Sequence, residues 1–263
     1  MNIDDIDVQI EGDGEAAVVM IHGWPDTLRL WDATVQALRP QWRCVRFTLP
    51  GFDRSRPRRA YSLDEVVTTI HRIVTRSCPG QRVTLLVHDW GCLYGYQFAL
   101  RHPELVARIV GVDIGDAGSA AHQAELGLKA KLAVLAYQLW LAIAWKLGGA
   151  LGDRMARSMA RAMRCPVPEQ AIDAAMGYPY AVQWFGVQGG FGRVRAFEPA
   201  VPMLYLYGQR KPFMFHSRAW VEALARRPGS RVLGLRTGHW VMVDKAEEFN
   251  AEVARWLAET APP

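Results

Sequence analysis

Cysteine is scarce in this 263-residue sequence, and its placement does not suit crosslinking or metal binding. The four residues, Cys44, Cys78, Cys92 and Cys165, form no C-x-x-C pair and have no histidine at zinc-ligand spacing. The sequence therefore predicts neither a disulfide framework nor a zinc site. We expect reduced thiols in a cytoplasmic protein. No phosphate-cradling loop is present either, so no metal and no cofactor is predicted.

Long apolar runs are also missing. The longest one, residues 132–145, is shorter than the roughly 20 residues that cross a bilayer as a helix. We interpret it as a buried or lid helix rather than a membrane contact, and we predict no membrane span. The N-terminal segment MNIDDIDVQIEGDGEA is acidic and has no apolar stretch, so we expect no signal peptide.

The positive charge of the chain is not organised for nucleic acid. The formal net charge is +5, and its one local cluster comprises Arg54, Arg56, Arg58 and Arg59. Such a short cluster is more typical of a solvated loop than of a basic stripe that follows a phosphate backbone. We therefore expect no nucleic-acid partner.

Short β-branched runs alternate with helical segments over most of the chain. Strands are predicted at residues 18–21, 44–48, 83–87, 109–112, 203–207 and 230–235. This alternation favours an α/β fold with a mostly parallel sheet flanked by helices. The alternation of strands and helices stops after Asp116 and resumes at Val201, and the residues between them have helical patterns. We predict a core in two parts, residues 1–116 and 201–263, with an inserted helical cap at 117–200.

Four polar residues follow predicted strands: His22, Asp89, Asp113 and His239. Ligands of open α/β sheets bind at the carboxyl ends of strands, so these side chains are expected to converge. Asp89 lies in the sequence V-H-D-W-G, between a strand and a helix. That arrangement is similar to a nucleophile elbow, usually G-x-S-x-G, with Val87 in place of the first glycine.

Three short motifs together resemble one branch of the α/β-hydrolase superfamily, the branch with an aspartate nucleophile. V-H-D-W-G resembles its elbow, H-G-W-P at residues 22–25 its HGxP oxyanion motif, and T-G-H-W at 237–240 its histidine loop. The branch contains epoxide hydrolases and haloalkane dehalogenases. The resemblance runs from about residue 18 to 257 and is weakest in the cap. It implies an α/β-hydrolase fold with a helical cap.

The resemblance also implies catalytic roles. A carboxylate oxygen of Asp89 would attack an electrophilic carbon and form an alkyl ester, which a water activated by His239 would hydrolyse. The backbone N–H groups of Trp24 and Trp90 would form the oxyanion hole. Water and a small apolar molecule are the expected partners of the site.

The acid partner of His239 departs from the usual pattern of the superfamily. The loop after the strand at residues 203–207 has no carboxylate, and Lys211 stands about where the acid is expected. One branch of haloalkane dehalogenases takes its acid from the end of the preceding core strand. That position corresponds to Asp113, with Asp116 as the reserve candidate.

The candidate residues of the cap do not decide between epoxide hydrolysis and halide displacement. Tyr137 resembles the first of two proton-donating tyrosines of epoxide hydrolases, whereas Phe185 occupies the place of the second, so Tyr178 or Tyr180 would replace it. We expect the substrate to contact these residues and His22, Trp140, Trp184 and Phe185.

An aromatic residue in HGxP favours an epoxide hydrolase. The placement of Asp113 favours a haloalkane dehalogenase, in which Trp90 and Trp140 or Trp184 would bind the halide. A non-catalytic binding protein of the same fold is the third reading. The oligomeric state stays open, with a homodimer among the options.

Overall fold

Eight strands form one sheet in a computed structural model, which describes residues 1–3 and 5–260. The sheet order is β1-β2-β4-β3-β5-β6-β7-β8. From β4 to β8 all neighbours are parallel, while β1 and β2 pair antiparallel at one edge. The strands are β1 (Asn2–Ile3), β2 (Ile6–Glu11), β3 (Ala17–Ile21), β4 (Arg43–Phe47), β5 (Val83–His88), β6 (Val106–Val112), β7 (Met203–Gly208) and β8 (Arg231–Leu235).

Helices cover both faces of the sheet. Apolar residues of α1 (Asp32–Leu38) and α10 (Ala246–Glu259) pack on one face, and those of α2 (Leu63–Ser77) and α3 (Trp90–Arg101) on the other. Every residue of β3 and β5 is buried, as expected for parallel strands covered on both sides. A capping box formed by Ser62 and Glu65 begins α2.

The antiparallel strands β1 and β2 were not predicted by the residue pattern. Strand β2 reads IDVQIE, and only Val8 in it is fully buried. An edge strand of this kind buries little apolar surface, so its alternation is too weak to distinguish it from a loop.

The connection between β6 and β7 contains only helical elements among its described residues. Its α-helices are α4 (Ala120–Glu125), α5 (Leu128–Leu147), α6 (Gly149–Ala162) and α7 (Tyr178–Phe185). Helix α5 includes the apolar run and has 20 residues, long and apolar enough to cross a membrane by length and composition alone. Only 17% of its most apolar window is buried. A lid helix therefore fits, and the alternative of a buried helix is wrong.

The arginine-rich loop before α2 ties this helical region to the sheet domain. Arg54 bonds to Asp173 and to the carbonyl of Gln170. Arg58 donates to the carbonyl of Trp145, and its guanidinium lies 5.1 Å from the centre of that indole ring. The expectation of a purely solvated loop is wrong for these two arginines, because backbone carbonyls and a carboxylate of the helical region face them.

The remaining helices frame the last two strands. Helix α8 (Arg218–Ala225) precedes β8, and the short helix α9 (Val241–Asp244) follows it. The loop between β8 and α9 carries His239, so this part of the chain delivers that histidine to the carboxyl edge of the sheet.

Candidate active site

Four neighbouring strands each deliver a charged or titratable side chain to the same edge of the sheet. Asp89 follows β5, Asp113 follows β6, Lys211 follows β7 and His239 follows β8. Because these strands are parallel and adjacent, residues separated by up to 150 positions meet in one place. The arrangement is the crevice expected at the carboxyl ends of strands.

Asp89 sits on a sharp turn between β5 and α3. Its φ of 53° and ψ of −124° lie in a region that residues other than glycine rarely adopt. Glycines make room for it: a Cβ on Gly23 would lie 2.2 Å from Asp89 Oδ1, and one on Gly91 would lie 2.3 Å from the carbonyl oxygen of Ile21. The turn thus has the geometry of a nucleophile elbow.

Val87 occupies the position of the first elbow glycine, and Gly95 accommodates it. A Cβ on Gly95 would come within 2.7 Å of Val87 Cγ1. The small residue required by the close approach of α3 to β5 is therefore on the helix instead of on the strand.

The carboxylate of Asp89 has two distinct sides. Oδ1 accepts the backbone N–H of Trp24 at 2.7 Å, and the carboxylate also accepts the N–H of Trp90. Oδ2 lies 3.5 Å from His239 Nε2. Burial alone raises the pKa of Asp89, but hydrogen bonding and charge from His239 outweigh it and hold the pKa below its usual value. The side chain keeps 16% exposure, so water reaches an ionised carboxylate.

His239 pairs with Asp113, at 2.5 Å between Nδ1 and Oδ2. Burial lowers the pKa of His239, whereas the charges of Asp113 and Asp89 raise it to about 9. Asp113 is fully buried and adopts a φ of 70°, which turns its carboxylate toward the ring at the end of β6. Asp116 instead accepts bonds from Ser119 and Ser217, so it does not serve the histidine.

Lys211 forms a buried ion pair with Oδ1 of Asp113, which also accepts the N–H of Gly208 at 2.9 Å. The lysine thus contacts the same carboxylate that pairs with His239. The two oxygens of Asp113 are divided between different partners, one facing Lys211 and the other facing His239.

Two tyrosines of the helical region, Tyr137 and Tyr180, lie close enough to Asp89 for its charge to affect their hydroxyls. The rings of Tyr137 and Tyr180 are 6.1 Å apart, and Tyr180 lies 5.1 Å from the ring of Trp90. Burial raises the pKa of both hydroxyls, and the negative charge of Asp89 raises it further. Tyr178 differs, because its hydroxyl pairs with Tyr94 at 3.3 Å. Of the two tyrosines considered for the second position, Tyr180 is therefore the one placed at the site.

Several expected substrate contacts lie elsewhere. His22 is fully buried, with Nδ1 bonded to the carbonyl of Gly23 and Nε2 accepting the N–H of Leu49, so it braces the loop and has no free ring nitrogen. Its pKa is lowered to about 4 by burial, which keeps it neutral.

The outer aromatic residues of the cap also depart from expectation. Trp140, Trp184 and Phe185 are 38–42% exposed. The indole N–H of Trp140 bonds to the carbonyl of Met155, and that of Trp184 bonds to Gln138. These indole groups are satisfied within the cap, and they do not point to a substrate or halide at Asp89.

Other residues near the site were missed by the sequence analysis. The ring of His88 lies 4.4 Å from that of His239, and Phe191 stacks on Trp90 at 5.5 Å. Asp26 is buried and accepts the indole N–H of Trp240 at 3.0 Å; burial raises its pKa to about 7. Asp26 and His88 lie beside or within the recognised motifs, so the sequence could have indicated that they are near the site. Phe191 lies in a glycine-rich segment with no motif, so nothing in the sequence indicated its position.

Comparisons with known proteins agree with this architecture. The family model described as alpha/beta hydrolase fold matches residues 16–246. Epoxide hydrolase 3 of Xenopus tropicalis is 22% identical over 92% of this chain and 71% of its own length. Epoxide hydrolase 1 of Caenorhabditis elegans is 30% identical over 43% of this chain, a match that spans only 28% of that protein.

Solved structures show the same fold. An epoxide hydrolase from Bacillus megaterium, crystallised with an inhibitor, superposes with a TM-score of 0.71 at 18% identity, covering 96% of each chain. The sheet order, the turn at Asp89 and the family match lead to one conclusion. The chain belongs to the alpha/beta hydrolase fold family.

Proposed function

We propose that this protein is an epoxide hydrolase that acts through a covalent ester on Asp89. The observation that carries the proposal is the pair of tyrosines, Tyr137 and Tyr180, near a carboxylate whose Oδ2 lies 3.5 Å from His239 Nε2. Epoxide opening needs a nucleophile on one side of the substrate and a proton donor for the oxygen on the other. The names of the epoxide hydrolases to which the chain is similar support the same assignment.

In the first step, Oδ2 of Asp89 attacks one epoxide carbon, and the bond from that carbon to the epoxide oxygen breaks. The products are an alkyl ester on Asp89 and an alkoxide, which takes a proton from the hydroxyl of Tyr137 or Tyr180. Oδ1 stays in place because the N–H group of Trp24 holds it, and the N–H of Trp90 also bonds the carboxylate.

In the second step, water attacks the ester carbonyl. Esterification removes the negative charge of Asp89, so the pKa of His239 falls from its resting value of about 9 and the ring becomes a base. The oxyanion forms on Oδ1, where Trp24 and Trp90 donate to it. The bond to the alkyl oxygen then breaks, His239 protonates the diol oxygen, and the second water proton returns to the tyrosinate. The sum is epoxide plus water giving a vicinal diol.

The substrate proposed for this site is small and apolar. Around Asp89 stand the rings of Trp24, Trp90, Tyr180 and Phe191, joined by ring contacts of 5.1–6.1 Å. Pockets with such aromatic walls and few polar groups bind apolar molecules. The helical region at residues 117–200, which supplies Tyr137, Tyr180 and Phe191, is proposed to act as the cap.

A second candidate function is halide displacement. The indole N–H of Trp24 is buried and has no hydrogen-bond partner among the described residues, and its ring lies 6.1 Å from that of Tyr180. An unpaired donor on the residue whose backbone N–H bonds Asp89 is suited to a leaving halide, and the indole of Trp90 would supply the second donor. This unpaired indole N–H is the observation that makes a haloalkane dehalogenase the second candidate.

Parallel assays separate the candidates. The purified protein is incubated with styrene oxide and, separately, with 1-bromobutane, and diol and free bromide are measured, with Asp89→Asn as the control. Diol formation that Asp89→Asn abolishes is the expected result. Bromide release with epoxides untouched would assign the dehalogenase, and no reaction with either substrate class would favour a binding protein.

A further inference from the structure

The outer face of α5 carries exposed apolar residues along its length, with an exposed lysine near each end. Five residues on it, here called the cap stripe, are each at least 42% exposed: Leu128, Leu132, Trp140, Ile143 and Leu147. At about 100° per residue they fall within an arc of about 120°. Exposed Leu151, Trp184 and Phe185 follow on the packed neighbours α6 and α7.

The opposite face of α5 is also apolar, and it is already occupied. Leu141, Ala142 and Ala144 are fully buried. A helix that is apolar all round is usually buried or in contact with lipid. Because only the inner face of α5 is covered by the other described residues, the cap stripe is an exposed apolar patch, and such patches can mark interaction surfaces.

The charges on α5 indicate the partner. The helix has three lysines, Lys129 and Lys131 at its start and Lys146 near its end, and no carboxylate. A second copy of this helix laid on the stripe would bring lysine against lysine in either orientation, which costs free energy. An anionic surface meets cations at both ends and apolar side chains between them.

We propose that the cap stripe docks flat on an anionic lipid surface. This replaces the sequence-based interpretation of the segment as a helix without membrane contact, because only 17% of its most apolar window is buried. Helix α5 is about 30 Å long, and its inner face stays packed on the protein, so the binding is peripheral and does not span the bilayer. The stripe inserts leucine and tryptophan side chains at the headgroup boundary, while Lys129 and Lys146 contact the headgroups.

Vesicle co-sedimentation tests this proposal. Wild-type protein is mixed with phosphatidylcholine vesicles with or without phosphatidylglycerol, at low and high salt. The test variants are Leu132→Glu, Leu147→Glu and the double variant Lys129→Ala/Lys146→Ala. The matched control is Val243→Glu, at an exposed apolar residue of α9 outside the cap.

The expected result is binding to the anionic vesicles only, weakened by salt. Each glutamate variant lowers the partition coefficient at least tenfold, and the double lysine variant lowers it about 30-fold. The control binds as wild type does, and melting curves confirm that all variants fold. Absence of vesicle binding overturns the proposal. A wild-type dimer that Leu147→Glu separates in analytical ultracentrifugation also overturns it, since the face then binds a second copy.

A separate observation concerns Lys211. Its side chain is only 7% exposed, and its one carboxylate partner among the described residues is Asp113. Its ammonium also lies 5.2 Å from the ring of Phe215. Lys211 does not contact His239, so any effect on the histidine passes through Asp113.

Resting on the proposed function, we infer that Lys211 is a positioning residue for His239. It holds Oδ1 of Asp113, so that Oδ2 faces the ring, and it offsets the charge of that carboxylate. The titratable groups around His239 are Asp89 and His88 from β5 and its turn, Asp113 from β6, and Asp26 behind Trp240. Once Asp89 is an ester, Asp113 is the main charge that keeps His239 protonated, and Lys211 counters it.

An NMR titration tests this role without turnover. In the Asp89→Asn background, which imitates the neutral ester, the ring of His239 is titrated with and without Lys211→Met. We expect Lys211→Met to raise the pKa of His239 by about one unit, and Lys211→Arg to leave it unchanged. An equal pKa in all three proteins overturns the inference.

Kinetics provides the companion measurement. In the otherwise native enzyme, Lys211→Met is expected to slow ester hydrolysis about tenfold at pH 6 and little at pH 9, with ester formation unchanged. A uniform loss at every pH would show a merely structural role and overturn the inference. If the wild-type enzyme forms no ester at all, the proposed function fails, and the titration still decides the role of Lys211.

Discussion

At the scale of single residues, the chemistry proposed here depends on the two sides of one carboxylate. Oδ1 of Asp89 is held by a backbone N–H at 2.7 Å, and Oδ2 is 3.5 Å from the ring of His239. The first oxygen can become an oxyanion without moving, and the second can attack carbon. A water that replaces Oδ2 as the neighbour of His239 is then placed for the second step.

Substituting His239→Gln is expected to stop the cycle at the ester. Asp89 remains able to attack, while no base activates the water, so hydrolysis slows by about 10²–10⁴-fold. Intact-protein mass spectrometry after addition of styrene oxide should show a stable adduct of one substrate mass. An unmodified mass combined with normal turnover would remove the base role from His239.

The two cap tyrosines are expected to differ from their buried neighbour. Tyr137→Phe and Tyr180→Phe should each slow epoxide opening by about 10–100-fold, because both hydroxyls are proposed to donate to the epoxide oxygen as the alkoxide forms. Tyr178→Phe is the matched control, since its hydroxyl faces Tyr94. Stopped-flow measurement of ester formation checks the three variants. Equal rates in all three would exclude the proposed donors.

At the scale of elements, the elbow depends on the contact between β5 and α3. Gly95→Ala should destabilise the fold by about 1–3 kcal/mol, because the new Cβ would lie 2.7 Å from Val87 Cγ1. In a Val87→Ala background the same change should be neutral or stabilising by up to about 1 kcal/mol, since alanine favours the helix. Gly127→Ala, in open space with a φ of −65°, is the control. Urea unfolding measures all of them, and additive effects would refute the predicted contact.

Elements also show where prediction from sequence succeeds and where it stops. The parallel strands were predictable, because β3 and β5 are continuous apolar runs. Strand β2 was not, since it is a polar edge strand. The faces of α5 could not be assigned either. Both carry apolar residues, so periodicity does not separate Tyr137, whose ring lies 6.1 Å from that of Tyr180, from Trp140, which is exposed.

At the scale of the whole molecule, the site makes a contribution to the free energy of unfolding that depends on pH. The pKa of His239 is raised from 6.5 to about 9 in the fold. This ion pairing stabilises the protein fully below pH 6.5, and the stabilisation is lost as pH rises through 9. We expect the free energy of unfolding to fall between pH 6.5 and 9.5 by about 3 kcal/mol more in wild type than in His239→Gln. Parallel profiles from urea unfolding would contradict this.

Tertiary structure explains why some site residues could be predicted and others could not. Asp89, His239 and Trp24 lie in short motifs whose local sequence requires their geometry. The pairing of Lys211 with Asp113 joins two loops 98 positions apart. From the sequence alone, Lys211 indicated only that the expected carboxylate is absent from its loop. Charge compensation between neighbouring strand ends can be recognised only once the strand order is known.

A single turnover in heavy-oxygen water tests the covalent role of Asp89 most directly. The enzyme is used in excess over styrene oxide, or over a bromoalkane if that is the substrate it converts. The masses of the product and of the peptide that contains Asp89 are then measured by mass spectrometry. We predict one heavy oxygen in the Asp89 carboxylate and none in the diol or alcohol. Heavy oxygen in the product with an unlabelled Asp89 would show direct attack by water and would contradict the ester mechanism.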